Sequence, residues 1–114
     1  MMLSSDIWVA ALIRRVELSG SFATVARKGD ARAGAVLVKT INRRTNEARL
    51  YVEATRGEGE RVWMSPVDFA SEAEIDAYIG RSARIDPDIW VVEIEDMDGA
   101  RFLTEPVEGR AAKS

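Results

Sequence analysis

Ala35-Val36-Leu37-Val38-Lys39-Thr40-Ile41, followed by Asn42-Arg43-Arg44-Thr45-Asn46 and then Glu47-Ala48-Arg49-Leu50-Tyr51-Val52-Glu53, is the stretch that decides the fold. Its first seven residues are apolar except for Lys39 and Thr40, which is the pattern of a central strand covered on both faces. The next five form a polar turn. In the last seven, Ala48, Leu50 and Val52 alternate with Arg49, Tyr51 and Glu53 at period two, so one face of that strand meets a core and the other meets water. Two such strands joined by a short turn make an antiparallel pair.

Upstream, Phe22 to Arg27 is a short β-type run, separated from the central strand by the Gly29 to Gly34 segment. Before it, Ser4, Ser5 and Asp6 offer helix caps and Gly20 a stop, so Asp6 to Ser19 reads as a helix. Trp8, Val9, Leu12, Ile13 and Val16 fall on one side of that helix, and Ile7, Ala11 and Leu18 widen the apolar arc. Downstream, a loop with Gly57 and Gly59 leads to a strand around Arg61 to Met64. Ser71 and Glu74 then form a capping-box pattern ahead of Ile75, Tyr78, Ile79 and Ala83, which share a helical face. Asp86-Pro87-Asp88 breaks this second helix, Ile89 to Glu95 reads as a strand, and Asp98-Gly99 is a hairpin signal before Arg101 to Leu103. The expected fold is α+β: helix, four-strand meander, helix and β-hairpin, with a mainly antiparallel sheet and both helices packed on it. Residues 1–104 form one domain, and 105–114, polar and holding Pro106 and Gly109, are expected to be a flexible tail.

At 114 residues, with 46% hydrophobic and 31% charged residues, the chain has the size and composition of one ordinary globular domain. It has no cysteine and no histidine, which removes disulfides, thiolate and Ser-His-Asp nucleophiles and the usual zinc sites. The net charge of -3, with both signs interspersed, gives no general attraction to nucleic acid or anionic lipid. The longest apolar run, Ile7 to Ile13, is far shorter than the ~20 residues a membrane helix needs. Asp6 precedes that run and Arg14 and Arg15 follow it, the reverse of a secretory signal, so the expected location is cytoplasmic and no cofactor is expected.

Four groups could carry chemistry. Gly29-Asp30-Ala31-Arg32-Ala33-Gly34 has the glycine spacing at the start of a phosphate-cradling loop, but Ala35 and Val36 stand where the lysine and hydroxyl would be. It reads first as a strand connection with Asp30 bonding its own amides, and second as an anion site formed by Gly29, Asp30, Arg32 and Gly34 with Arg15. The acidic stretch Asp86, Asp88, Glu93, Glu95, Asp96 and Asp98 puts Glu93 and Glu95 on one strand face, which a metal-dependent hydrolase would need. Ion pairing is the preferred reading, with Asp96 opposite Arg101 and no metal. Arg15, inside the apolar arc of the first helix, is expected either to pair with Glu93 or to lay its stem along Trp8 and carry its head to water. Trp8, Trp63 and Trp90 sit among aliphatic neighbours, so core or subunit contact is preferred over base stacking, with Trp8, Leu12 and Trp90 at or under a homodimer contact.

Three segments are also familiar: Ile7-Trp8-Val9 leading to Ile13-Arg14-Arg15, then Gly29-Asp30 with Ala33-Gly34, and then Asp86-Pro87-Asp88-Ile89-Trp90-Val91-Val92-Glu93-Ile94-Glu95-Asp96. Over roughly Ile7 to Leu103 they resemble a small alphaproteobacterial family known only as a domain of unknown function, number fourteen ninety-one of its series. The resemblance implies a bacterial cytoplasmic protein and supplies no activity or ligand. The expected function is a non-catalytic binding or assembly module, homodimeric or docking an unidentified protein. Small-ligand or anion binding through Arg15, Arg32 and the Gly29 to Gly34 loop is the alternative, and hydrolysis on Glu93 and Glu95 a third.

Overall fold

Strand β2 (Val36–Asn42) is the axis of the fold, and in a computed structural model it is buried over six of its seven residues. The structure describes residues 3–66 and 71–110. β2 pairs antiparallel with β3 (Glu47–Arg56), with Leu37 opposite Val52 and Asn42 opposite Glu47, as the period-two pattern requires. The turn between them closes where Asn42 accepts the Arg44 N–H at 2.9 Å and Asn46 takes a positive φ of 60°. β3 continues antiparallel into β4 (Glu60–Ser65). Helix α1 (Ser5–Leu18) precedes this hairpin system and α2 (Glu72–Ile85) follows it. The capping box of α2 is formed: the Ser71 hydroxyl accepts the Glu74 N–H at 3.2 Å and the Glu74 carboxylate accepts the Ser71 N–H at 3.0 Å.

Two further strands change the expected topology. β1 (Ala23–Arg27) is not beside β2, because β5 (Trp90–Ile94) lies between them, antiparallel to β1 and parallel to β2. The sheet is therefore mixed, six strands in the order β1-β5-β2-β3-β4-β6, and the expected four-strand meander shrinks to β2-β3-β4. The reason is burial. Only Ala23 of β1 is buried, whereas β5 buries Trp90, Val91, Val92 and Ile94 and needs neighbours on both edges and cover on both faces. β1 is left at the edge, with a bulge between Val25 and Arg27.

Asp98-Gly99 does not make a hairpin. Gly99 opens a single turn of 3₁₀ helix over Gly99–Phe102, and it is glycine for lack of space: a Cβ there would collide with the Thr40 methyl group and press on Ile94. The chain then runs back through Leu103 to β6 (Val107–Arg110), which pairs parallel with β4 inside the stretch expected to fray. Residues 111–114 of that expected tail lie outside the described residues.

The helices cover opposite faces. Trp8, Val9, Leu12 and Val16 of α1 pack with Val38, Val92 and Ile94 on one face, and Ile75 of α2 packs with Leu37, Leu50 and Val91 on the other. The face of β3 expected to be wet is thus partly roofed by α1, and Tyr51 is only 6% exposed.

Candidate functional site

In the Gly29 to Gly34 loop the amides of Asp30, Arg32, Ala33 and Gly34 are bonded by the chain itself. The Asp30 carboxylate accepts the Arg32 and Ala33 amides at 3.1 and 2.9 Å, occupying the place an anion would take. The loop carbonyls of Arg32 and Ala31 accept the Ser5 and Asp6 amides at 3.1 and 2.9 Å, so they also cap α1. Both glycines lie against the Asp88 carbonyl, with which a Cβ at either position would collide. The Trp90 indole donates to the Asp30 carbonyl at 2.7 Å. The phosphate-cradle reading of Gly29, Asp30 and Gly34 is therefore corrected: their amides and carbonyls join α1, the loop and the start of β5. The Arg32 side chain stands exposed above this corner and makes no ion pair among the described residues.

The expected Arg15–Glu93 pair does not form, because the two side chains lie on opposite faces of the sheet. Glu93 points to the α2 face, where the buried Lys39 ammonium holds Glu72, Asp76 and Glu93, each at 2.9 Å. Arg43 pairs with Glu93 and reaches Glu95 at 3.6 Å. Burial alone pulls the Lys39 pKa down, but its hydrogen bonds to Asp76, Glu72 and Glu93 outweigh that and raise it. Both glutamates are engaged by cations, Glu93 by Lys39 and Arg43 and Glu95 by Arg43, an arrangement that favours ion pairing over metal-dependent hydrolysis there. Asp96 does pair with Arg101, at 2.9 Å, across the 3₁₀ turn and not across strands. The Arg101 hydrogen bond, aided by the Asp98 amide and Ser21, holds the Asp96 carboxyl below its ordinary pKa.

Trp8, Leu12 and Trp90 are inside the domain, 5%, 0% and 4% exposed, so they can lie under a subunit contact but not at its surface; on α1 the sheet covers Trp8, Val9, Leu12 and Val16, while Ile7 and Leu18 stay exposed. Trp8 meets Trp63 with ring centroids 5.4 Å apart and planes tilted by 36°. Both indole N–H groups donate to one carboxylate, Glu105, at 3.1 and 3.0 Å. Burial pushes the Glu105 pKa up, but the Trp63, Trp8 and Thr104 hydrogen bonds more than offset this, and the group sits below the ordinary carboxylate value.

Beside this clamp opens a cleft of about 620 Å³. One wall is the i, i+3, i+7 stripe of α1 formed by Trp8, Ala11 and Arg15; the other is Glu53 and Thr55 of β3 with Arg61 of β4. Thr104 and Glu105 line it as well, and a second hollow of about 410 Å³ continues it past Leu3, Ala33 and Arg32. Glu53 is matched by Arg61 at 2.5 Å and accepts the Val36 N–H at 2.9 Å. Arg15 is unmatched. Its Nε and Nη2 donate to the Phe102 carbonyl at 3.3 and 2.9 Å, and among the described residues it makes no ion pair. What the cleft offers is an oriented guanidinium, the Thr55 and Thr104 hydroxyls, the second bonded to Glu105, and apolar wall.

Sequence reasoning singled out Arg15 and Arg32 but missed Glu105, Glu53, Arg61 and Ala11. The available signals were the period-two face shared by Glu53 and Thr55, and the seven-residue spacing of Trp8 and Arg15 with alanine between them.

A family model described as a protein of unknown function, DUF1491, matches residues 3–104. A crystal structure of a DUF1491 family protein from Caulobacter crescentus is 73% identical, covers 94% of this chain and 100% of that one, and superposes with a TM-score of 0.86. An NMR structure of a DUF1491 family protein from the same organism gives 73% identity, 95% and 98% coverage and a TM-score of 0.85. A solution structure of a protein from A. tumefaciens is 35% identical over 97% of this chain and 100% of that one, with a TM-score of 0.81. No curated protein matches the chain.

Proposed function

The chain belongs to the DUF1491 family, and from that premise we propose that it is a cytoplasmic, non-catalytic binding module whose site is the cleft between α1 and the β3–β4 hairpin. One observation carries this reading: Arg15 lines the cleft without a carboxylate partner, while every other charged group named on its walls has one or is tied to indole N–H groups. A half-buried unmatched cation is costly unless a ligand or water completes it. A cleft of this size is within the range that takes small molecules. Arg32, on the rim of the adjoining hollow, adds a second positive charge to the approach.

The test is a thermal-shift panel of neutral, cationic and anionic small molecules on the wild-type chain and on Ala11→Leu. That substitution keeps a strong helix former on α1 while filling the cleft. A ligand at 100 times its dissociation constant stabilises by about 2.7 kcal/mol, enough to raise the melting point by several degrees. Shifts in the wild type that vanish in Ala11→Leu support the reading. Shifts that survive the filled cleft, or a panel flat in both proteins, overturn it.

A second reading, assembly as a homodimer, keeps one specific observation in its favour. Leu18 and Phe22, where α1 hands over to β1, are 74% and 68% exposed, and Val25 beyond them is also exposed. Light scattering distinguishes a dimer that Phe22→Ser disperses from a monomer that the substitution leaves unchanged.

A further inference from the structure

The kind of ligand can be argued from how Arg15 is held, an inference that rests on the cleft being the binding site. The Phe102 carbonyl takes the side of the guanidinium formed by Nε and Nη2. That contact pins the group's plane and spends the donors that face the helix, leaving the end formed by Nη1 and the second Nη2 hydrogen. Two parallel N–H groups at that end match the two oxygens of a carboxylate. The guanidinium is oriented before any ligand arrives, so little rotamer freedom is lost on binding.

Charge narrows the choice. Glu53 and Arg61 balance each other, whereas Glu105, held by Trp8 and Trp63, has no cation partner among the described residues and leaves a negative charge in the wall. A ligand with several negative charges would gain Arg15, and Arg32 at the rim, but be repelled by Glu105 inside the cleft. A ligand with one gains Arg15 and can be kept clear of Glu105. The remaining wall is small and apolar, with Leu3, Trp8, Ala11 and Ala33, which gives a short hydrocarbon or aromatic body a place to lie. Thr55 and Thr104 supply hydroxyls at the edge. We infer that the cleft binds a small monocarboxylate carrying a short apolar body, with Arg15 as the carboxylate anchor.

The experiment is an amide NMR titration of the full chain with hexanoate and phenylacetate, beside hexanamide, phenylacetamide and inorganic phosphate. The acids should move the amides of Ala11, Ala33, Thr55 and Thr104, with the neutral amides and phosphate weaker by roughly tenfold or more. Arg15→Met should remove the preference for acid over amide. Arg15→Lys, which keeps the charge but loses the paired donors, should retain only part of it. Unchanged spectra away from the cleft establish that the variants are folded. Equal affinity for acid and amide, tighter binding of phosphate, or an acid preference that survives Arg15→Met would each overturn the inference while leaving the cleft reading intact. Acids that move none of these amides overturn it too, and the thermal-shift panel then decides separately whether the cleft binds anything else.

Discussion

Replacing Glu105 by alanine should destabilise the domain far more than its place in a polar C-terminal stretch would indicate. The carboxylate is the acceptor for two indole N–H groups whose residues are 5% and 1% exposed, at 3.1 and 3.0 Å. A hydrogen bond to a charged partner is worth about 1.5–3 kcal/mol. Water entering from the cleft can replace part of it, so the lower half of that range applies to each bond, giving about 3 kcal/mol for the pair. At roughly 4 °C per kcal/mol for a domain of this size, the melting point falls by about 12 °C. Glu105→Gln should cost less, about 1–2 kcal/mol, because its oxygen still serves one indole while its amide group meets the other as a second donor. Urea unfolding followed by tryptophan fluorescence measures both. The sign of the pH dependence follows from the folded pKa lying below the ordinary 4.5. The carboxylate's contribution is present in full above that value and is lost as pH falls through the lowered one. The gap between wild type and Glu105→Gln should therefore close as the solution is acidified below about pH 4.5. Asp96, shifted in the same direction, is common to both proteins and cancels in the comparison. An alanine variant within about 0.5 kcal/mol of wild type would refute the clamp.

Lys39→Met should cost about 3 kcal/mol in urea unfolding, the lower end for a broken buried pair, since Glu93 keeps Arg43 and Asp76 is half exposed. Because the Lys39 pKa is raised, its contribution is complete below the ordinary 10.5 and is lost only as pH climbs through the higher folded value. Gly34→Ala should cost at least about 2 kcal/mol, since the obstacle is the Asp88 backbone carbonyl and not a movable side chain end, and the Trp90 emission should shift with it. Arg15→Met should lose only about 1.5 kcal/mol, the low end for a charged group bonded to one backbone carbonyl. A loss of 3 kcal/mol or more would mean that Arg15 has a buried counter-charge after all.

The β2–β3 pair, both helices and the α2 cap were legible because each is written in local chemistry: period two, an apolar arc, a serine three residues before a glutamate. The position of β5 was not, because which strand lies beside which is decided by competition for burial across the whole sheet. The clue lay in comparing strands. β1 has one buried residue and β5 has four, so the pair cannot both be central, yet chain order suggested that β1 and β2 were neighbours. Asp98-Gly99 misled for a related reason. Glycine is chosen either for positive φ or for close approach, and Gly99 is there for the second, against Thr40 and Ile94, which only the folded sheet brings near.

The head of α1, the Gly29 to Gly34 loop and the start of β5 meet at one place. Ser5 and Asp6 at the head of α1 rest on the loop carbonyls, Gly29 and Gly34 rest on Asp88, and Trp90 rests on Asp30. Those contacts give this corner an architectural role. The cleft beside it takes Trp8 and Arg15 from the first helix and Ala33 from the loop, and its room comes from small residues, Ala11 and Ala33. Charge is what distinguishes the two sides of the sheet. On the α2 face, Lys39 and Arg43 meet Glu72, Asp76, Glu93 and Glu95, so both of these cations are held among carboxylates. On the α1 face, Glu53 is taken by Arg61 and Glu105 by two indoles, so Arg15 is left with a backbone carbonyl that orients it without neutralising it. Arg15 is half-buried, makes no ion pair among the described residues, and lines the cleft. A pinned, unneutralised guanidinium over apolar wall is a poor device for stability and a good one for receiving a carboxylate.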